Sequence, residues 1–133
     1  MKEVFQSESR VVEKLRQIFP GIVAVYLHGS AAKDTMRADS DIDLALLFEE
    51  KKVPGQLQLF LAASEIERAA FRRIDLSVLS TRNTVFAKEV LTNGKLLYCR
   101  DPMRHDAFTM YVLSYYAKLN DERADILRAY QVH

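Results

Sequence analysis

The chain alternates apolar-periodic segments with polar breaks. Over residues 3–19, Val4, Val11, Val12, Leu15, Ile18 and Phe19 recur at helical spacing, which predicts an amphipathic helix ended by Pro20-Gly21. Ser9 is a capping residue type and is expected at the N-cap, with Val12 and Leu15 opening the apolar face. Residues 22–28 are an apolar run, the first predicted strand, and Gly29-Ser30 follows it. Residues 31–40 read as a loop with one helical turn near 31–34. Residues 41–48 predict the second strand. On it Ile42, Leu44, Leu46 and Phe48 share one face, and Asp41, Asp43, Ala45 and Leu47 share the other. Polar positions occur only at its start, and beyond them both faces are apolar, as in a covered central strand.

Residues 49–52 are a charged surface turn, and Pro54-Gly55 marks the next break. Residues 56–71 predict a helix whose apolar side comprises Leu57, Phe60, Leu61, Ser64, Ile66 and Phe71. Residues 73–79 predict the third strand. A helix over 82–93 turns Val85, Phe86, Val90 and Leu91 inward and ends at Asn93-Gly94. Residues 96–99 are a short edge strand. Asp101 caps a last helix that opens with Pro102 and runs to about 131. Phe108, Tyr111, Tyr115 and Leu119 are its packing stripe, Tyr116 and Met110 fall off that stripe, with local packing as the first reading and a partner interface as the alternative, and Asn120-Asp121 interrupts it.

Composition narrows the class. With 133 residues, 49% of them hydrophobic and 28% charged, the chain has the size and make-up of one globular domain. The net charge of +1, with no basic patch interleaved with aromatics, argues against direct nucleic-acid binding. The lone Cys99 lies in an apolar run and reads as a structural thiol in a reducing compartment, so the cytoplasm is expected. The polar opening MKEVFQSESR does not read as a signal peptide, and no apolar stretch approaches the roughly 18 residues of a membrane span.

The chemistry concentrates in residues 29–48, GSAAKDTMRADSDIDLALLF. Asp41 and Asp43 project to one side of a strand, about 6.5–7 Å apart. Two bare carboxylates so placed repel each other, and a divalent cation between them removes the repulsion. Mg²⁺ suits the pair because it takes one or two carboxylates and fills its remaining positions with water and phosphate oxygens. Gly29 lets backbone approach a phosphate closely, and Ser30 offers a hydroxyl and a helix cap beside it. Lys33 and Arg37 add positive charge in the loop. The triplet Ile42-Asp43-Leu44 recurs as Ile74-Asp75-Leu76, so on neighbouring strands Asp75 joins the pair as a third carboxylate. Such a constellation handles a nucleoside triphosphate. His28 reads as structural or supporting, since no second His lies near it, and Asp39 as a solvated loop acid.

Gly-Ser, a ten-residue spacer and Asp-x-Asp resemble the signature of the polymerase-beta-type nucleotidyltransferase superfamily. The short chain and the form Ser40-Asp41-Ile42-Asp43-Leu44 resemble its minimal nucleotidyltransferase (MNT) branch, over about residues 10–100. The resemblance implies an α/β (α+β) fold, a small mixed sheet of three to four strands flanked by helices. It also implies one such domain over residues 1–133, with 102–131 as a C-terminal helical segment. It implies Asp41, Asp43 and Asp75 as catalytic metal ligands for Mg²⁺, as two ions, with ATP as substrate, and Gly29, Ser30, Lys33 and Arg37 as the phosphate-binding set. Many members of the branch are antitoxins paired with a HEPN-domain toxin. The implied activity is therefore AMP transfer from ATP to a tyrosine hydroxyl of a partner HEPN ribonuclease, which silences it. Lys33-Asp34 stands where the family usually has Arg-Gly, and lysine lacks the guanidinium fork. Two other readings remain open on sequence: an antitoxin that acts by stoichiometric cover, and a small-molecule nucleotidyltransferase. The latter normally needs extra chain for an acceptor pocket.

Overall fold

The computed structural model describes residues 2–29 and 41–131, with side chains over 9–29 and 41–130. Four strands, β1 (Ile22–His28), β2 (Ile42–Phe48), β3 (Ile74–Val78) and β4 (Lys95–Cys99), form one sheet in the order β3-β2-β1-β4. β1 is antiparallel to both β2 and β4, whereas β2 and β3 run parallel, so the sheet is mixed. Helices α1 (Lys2–Ile18), α2 (Gln56–Ala70), α3 (Thr84–Asn93) and α4 (Pro102–Gln131) flank it.

Both faces of the sheet are covered. Val11, Leu15 and Phe19 from the α1 end and Ala62 and Ile66 from α2 pack on Val25, Leu27, Leu44, Leu46 and Phe48. Phe19 meets Phe48 edge-on, with centroids 5.5 Å apart. On the other face Ala87 and Val90 of α3 and Val112 of α4 pack on Ala24, Tyr26, Ala45 and Leu47. An irregularity between Ile22 and Ala24 shifts the β1 register. Ile22 and Val25 thereby share a face, while Val23 and Ala24 both serve the other. The alternation expected for 41–48 is the observed one, and β2 is an internal strand.

Expectations about all four helices are corrected. Ser9 is not an N-cap: α1 begins at Lys2, so Ser9 lies exposed inside the helix. In α2 the inward residues are Leu59, Ala62, Ile66 and Ala70, whereas Leu57, Phe60, Leu61 and Phe71 are exposed. In α3 Val85 is 55% exposed, and Ala87 takes the buried position. α4 is one continuous 30-residue helix through Asn120-Asp121. Of its expected stripe Phe108 packs on the core and Leu119 is half-buried, but Val112 is the fully buried residue, and Tyr111 and Tyr115 stack on each other at the surface. Tyr116, off that stripe, packs locally: it is half-buried with Lys88 Nζ 4.8 Å from its ring centre. The expected cap at Asp101 is present, its Oδ1 accepting the Arg104 N–H at 3.2 Å. No helix among the described residues is long and apolar enough to cross a membrane.

Candidate active site

The site lies at one end of the sheet, where β1 ends and β2 and β3 begin. Asp43 and Leu44 of β2 are paired on both sides, with β1 and with β3, so their side chains are held in register. Asp43 is the centre. Across the antiparallel ladder it faces His28, and across the parallel ladder it faces Asp75. Directly opposed residues share a face with Cβ atoms about 4.5–5.5 Å apart. Asp41 stands just before the strand, one alternation away on that same face. The Ile42 N–H donates to the Arg73 carbonyl at 2.8 Å, and the Ile74 N–H to Glu67 Oε1 at 3.0 Å. These bonds fix the openings of the two acid-bearing strands.

Gly29 closes β1 with φ +73°, a left-handed conformation that disfavours a side chain. A Cβ there would come 2.5 Å from Asp43 Oδ2. Glycine is therefore needed both for the turn and for the space that the Asp43 carboxylate occupies.

Electrostatics single out the same residue. Burial pushes the Asp43 carboxyl above the usual carboxylate range. His28 opposes that rise, while Asp75 and then Asp41 add to it by repulsion. So the three acids interact through Asp43, as expected from the recurring Ile-Asp-Leu triplet. They are not drawn into a closed cage: among the described residues no three His, Cys, Asp or Glu side chains are grouped to hold a metal ion by themselves. An open pair or trio of carboxylates fits Mg²⁺, which leaves most of its positions to water and phosphate oxygens.

His28 has the structural and supporting place expected of it. Its ring packs edge-on against Phe86, with centroids 5.5 Å apart, and its Nε2 is buried without a hydrogen-bond partner among the described residues. The signal was its place immediately before Gly29, on the face that Asp43 shares. Ser30, Lys33 and Arg37 lie outside the described residues, as does the Lys33-Asp34 departure. Cys99 is half-buried and carries a free thiol.

Residues 10–103 match the family described as "Polymerase beta, Nucleotidyltransferase". The chain is 28% identical over 121 residues to Protein adenylyltransferase MntA of Shewanella oneidensis, across 91% of this chain and 85% of that protein. Among solved structures it is similar to a chain of a toxin–antitoxin crystallised with AMP-PNP, at a TM-score of 0.77 and 27% identity over 93% of this chain and 98% of that one. A second is a chain in the structure of a tri-AMPylated Shewanella oneidensis HEPN toxin in complex with MNT antitoxin. There the TM-score is 0.72 and the identity 25%, over 95% of this chain and 97% of that one.

Proposed function

Because the chain belongs to the polymerase beta nucleotidyltransferase family, we propose that it is an antitoxin that transfers AMP from ATP to a tyrosine hydroxyl of a partner HEPN ribonuclease toxin. The observation that carries this reading is the convergence of Asp41, Asp43 and Asp75 around a glycine turn. The relatives support the acceptor: one is named a protein adenylyltransferase, and another structure holds an AMPylated toxin beside its antitoxin.

In the reaction the tyrosine oxygen attacks the α-phosphorus of ATP. A new phosphorus–oxygen bond forms, the α–β bridging bond breaks, and pyrophosphate leaves. Asp41, Asp43 and Asp75 are assigned to hold Mg²⁺, which supplies charge neutralisation at the triphosphate when bound. The Gly29 backbone and the Ser30 hydroxyl, with Lys33 and Arg37, are assigned to the β- and γ-phosphates. Asp75, exposed like Asp41 and on the edge strand β3, is assigned to take the phenolic proton. His28 stands across the ladder from Asp43 and favours its charged form. The work is positioning and electrostatics, with no covalent intermediate on the protein. A charged nucleotide on a tyrosine beside a ribonuclease site blocks RNA and repels its phosphates.

The test is neutralisation in cells that express the toxin. Wild type restores growth, whereas Asp41→Asn and Asp43→Asn still form the complex but leave the toxin active. Full neutralisation by both variants would make the chain a stoichiometric antitoxin instead.

A further inference from the structure

The residue that leads into β3 carries a positive charge onto the face of the three acids. Ile42 and Ile74 are ladder partners, and the Ile42 N–H donates to the Arg73 carbonyl at 2.8 Å. Arg73 is therefore level with Asp41, and alternation puts its side chain on the side of Asp75, two residues further on. Its backbone is pinned on both flanks, by that bond and by the Ile74 N–H on Glu67 Oε1 at 3.0 Å. Its guanidinium is exposed. It takes part in none of the ion pairs among the described residues, although Asp41 and Asp75 are its neighbours. A fixed root and an exposed fork suit an anion that arrives from outside.

Strand order selects the anion. In the order β3-β2-β1 the acids of β2 lie between Gly29, which ends β1, and Arg73, which opens β3. An in-line displacement puts the entering and leaving oxygens on opposite sides of the phosphorus. With the β- and γ-phosphates at Gly29, pyrophosphate leaves on the β1 side and the acceptor enters on the β3 side. β3 is an edge of the sheet, so the acceptor has open space beside it. Arg73 thus faces the acceptor rather than the triphosphate. A tyrosine hydroxyl brings no charge, but a tyrosine that has already received AMP does. Its phosphodiester is anionic, and a ribose hydroxyl of the same AMP lies about 6 Å from it when extended. Arg73 and Asp75 stand about 6.5–7 Å apart along one face of the strand. With the hydroxyl at Asp75, the phosphodiester falls at the guanidinium. We propose that Arg73 holds the phosphodiester of an AMP already on the acceptor, so that the chain adds the next nucleotide to the last. The inference rests on the adenylyl-transfer reading and names its second acceptor, a ribose hydroxyl. In that step the hydroxyl oxygen bonds the α-phosphorus of a new ATP. The α–β bridging bond breaks, pyrophosphate leaves, and the proton passes to Asp75.

The test uses the full chain and its cognate toxin, the purified product of the adjacent gene, with ATP, Mg²⁺, Arg73→Gln and Arg73→Lys. Intact mass over time separates the first addition from later ones, and peptide mapping places each AMP. Wild type is expected to stack AMP on AMP at one tyrosine. In Arg73→Gln the loss of a charge-assisted pair slows later additions about tenfold or more, against about threefold or less for the first, so singly modified toxin accumulates. Arg73→Lys keeps the charge without the fork and falls between. The backbone bonds at Arg73 do not use its side chain, so both variants melt with wild type. Binding is read separately with the phenyl ester of AMP in the presence of AMP-PNP. Arg73→Gln weakens the ester about tenfold and leaves AMP-PNP affinity unchanged. Equal slowing of every addition, an unaltered product distribution, or extra AMP only on separate tyrosines would overturn the proposal. A wild type that binds the ester through Arg73 but moves no AMP keeps the acceptor subsite and sinks the transferase reading.

Discussion

Gly29 and Asp43 occupy one space, and each makes a specific demand on the other. Gly29→Ala forces a Cβ into the left-handed region and onto the Asp43 carboxylate. The expected cost is about 1–2 kcal/mol of stability from the backbone alone, with most transfer activity lost because Asp43 must turn away. Thermal unfolding and an AMP-transfer assay check both parts, and an alanine variant with full activity would show that the carboxylate is not held here. Asp43 carries a second prediction. Burial, joined by Asp75 and Asp41, raises its folded-state pKa above the unfolded value. A raised carboxyl contributes stability that is present below the unfolded pKa and is lost as pH rises through the folded pKa. Asp43→Asn removes that loss. The metal-free variant should match wild type at acid pH and exceed it increasingly toward neutrality, while losing transfer. Parallel stability curves for the two across pH 3–8 would contradict the assignment.

At the scale of elements, sequence period identified the pieces better than their faces. The strands were legible because period-two alternation and a glycine stop leave little choice. A register slip at β2 would have moved Asp43 away from His28 and Asp75. The Asp-x-Asp pair and Asp75 were legible for the same reason, since a repeated Ile-Asp-Leu on adjacent parallel strands aligns its acids. The helices were harder. α2 and α4 each carry apolar residues on more than one side, and the pattern does not say which stripe meets the chain's own sheet. Phe60 and Phe71 outweighed Ala62 and Ala70 by size, yet small residues make the closer contact with the sheet layer. Val112 was passed over beside Tyr111 for the same reason. Ser30, Lys33 and Arg37 had only residue type to go on. These faces have measurable weights. Ile66→Ala, at 1% exposure, should cost about 3 kcal/mol in denaturant unfolding. Leu57→Ser on the outward face should change stability by less than about 0.5 kcal/mol. Equal losses would mean that both stripes are core.

The described residues form a mixed sheet covered by helices on both faces, with Asp41, Asp43 and Asp75 at one end. Distant segments are tied beyond the cores. The Tyr26 hydroxyl and His105 hydrogen-bond α4 to the sheet. Glu49 holds Lys52 at 3.1 Å and Arg100 at 2.9 Å, linking the segment after β2 to the end of β4. Hydrogen bonds from Lys52 and Arg100 hold the Glu49 carboxyl below its ordinary range. That stability is present above the unfolded carboxylate pKa and is lost as pH falls through the folded one. Glu49→Gln should therefore melt below wild type at pH 7, with the gap closing in acid; a constant gap would mean that packing alone is at work. The most direct measurement is the intact mass of the purified toxin after incubation with this chain, Mg²⁺ and ATP. The account predicts a gain of one AMP or a small multiple of it, mapped to tyrosine and absent with Asp43→Asn. An unchanged toxin mass in a stable, neutralised complex would contradict it.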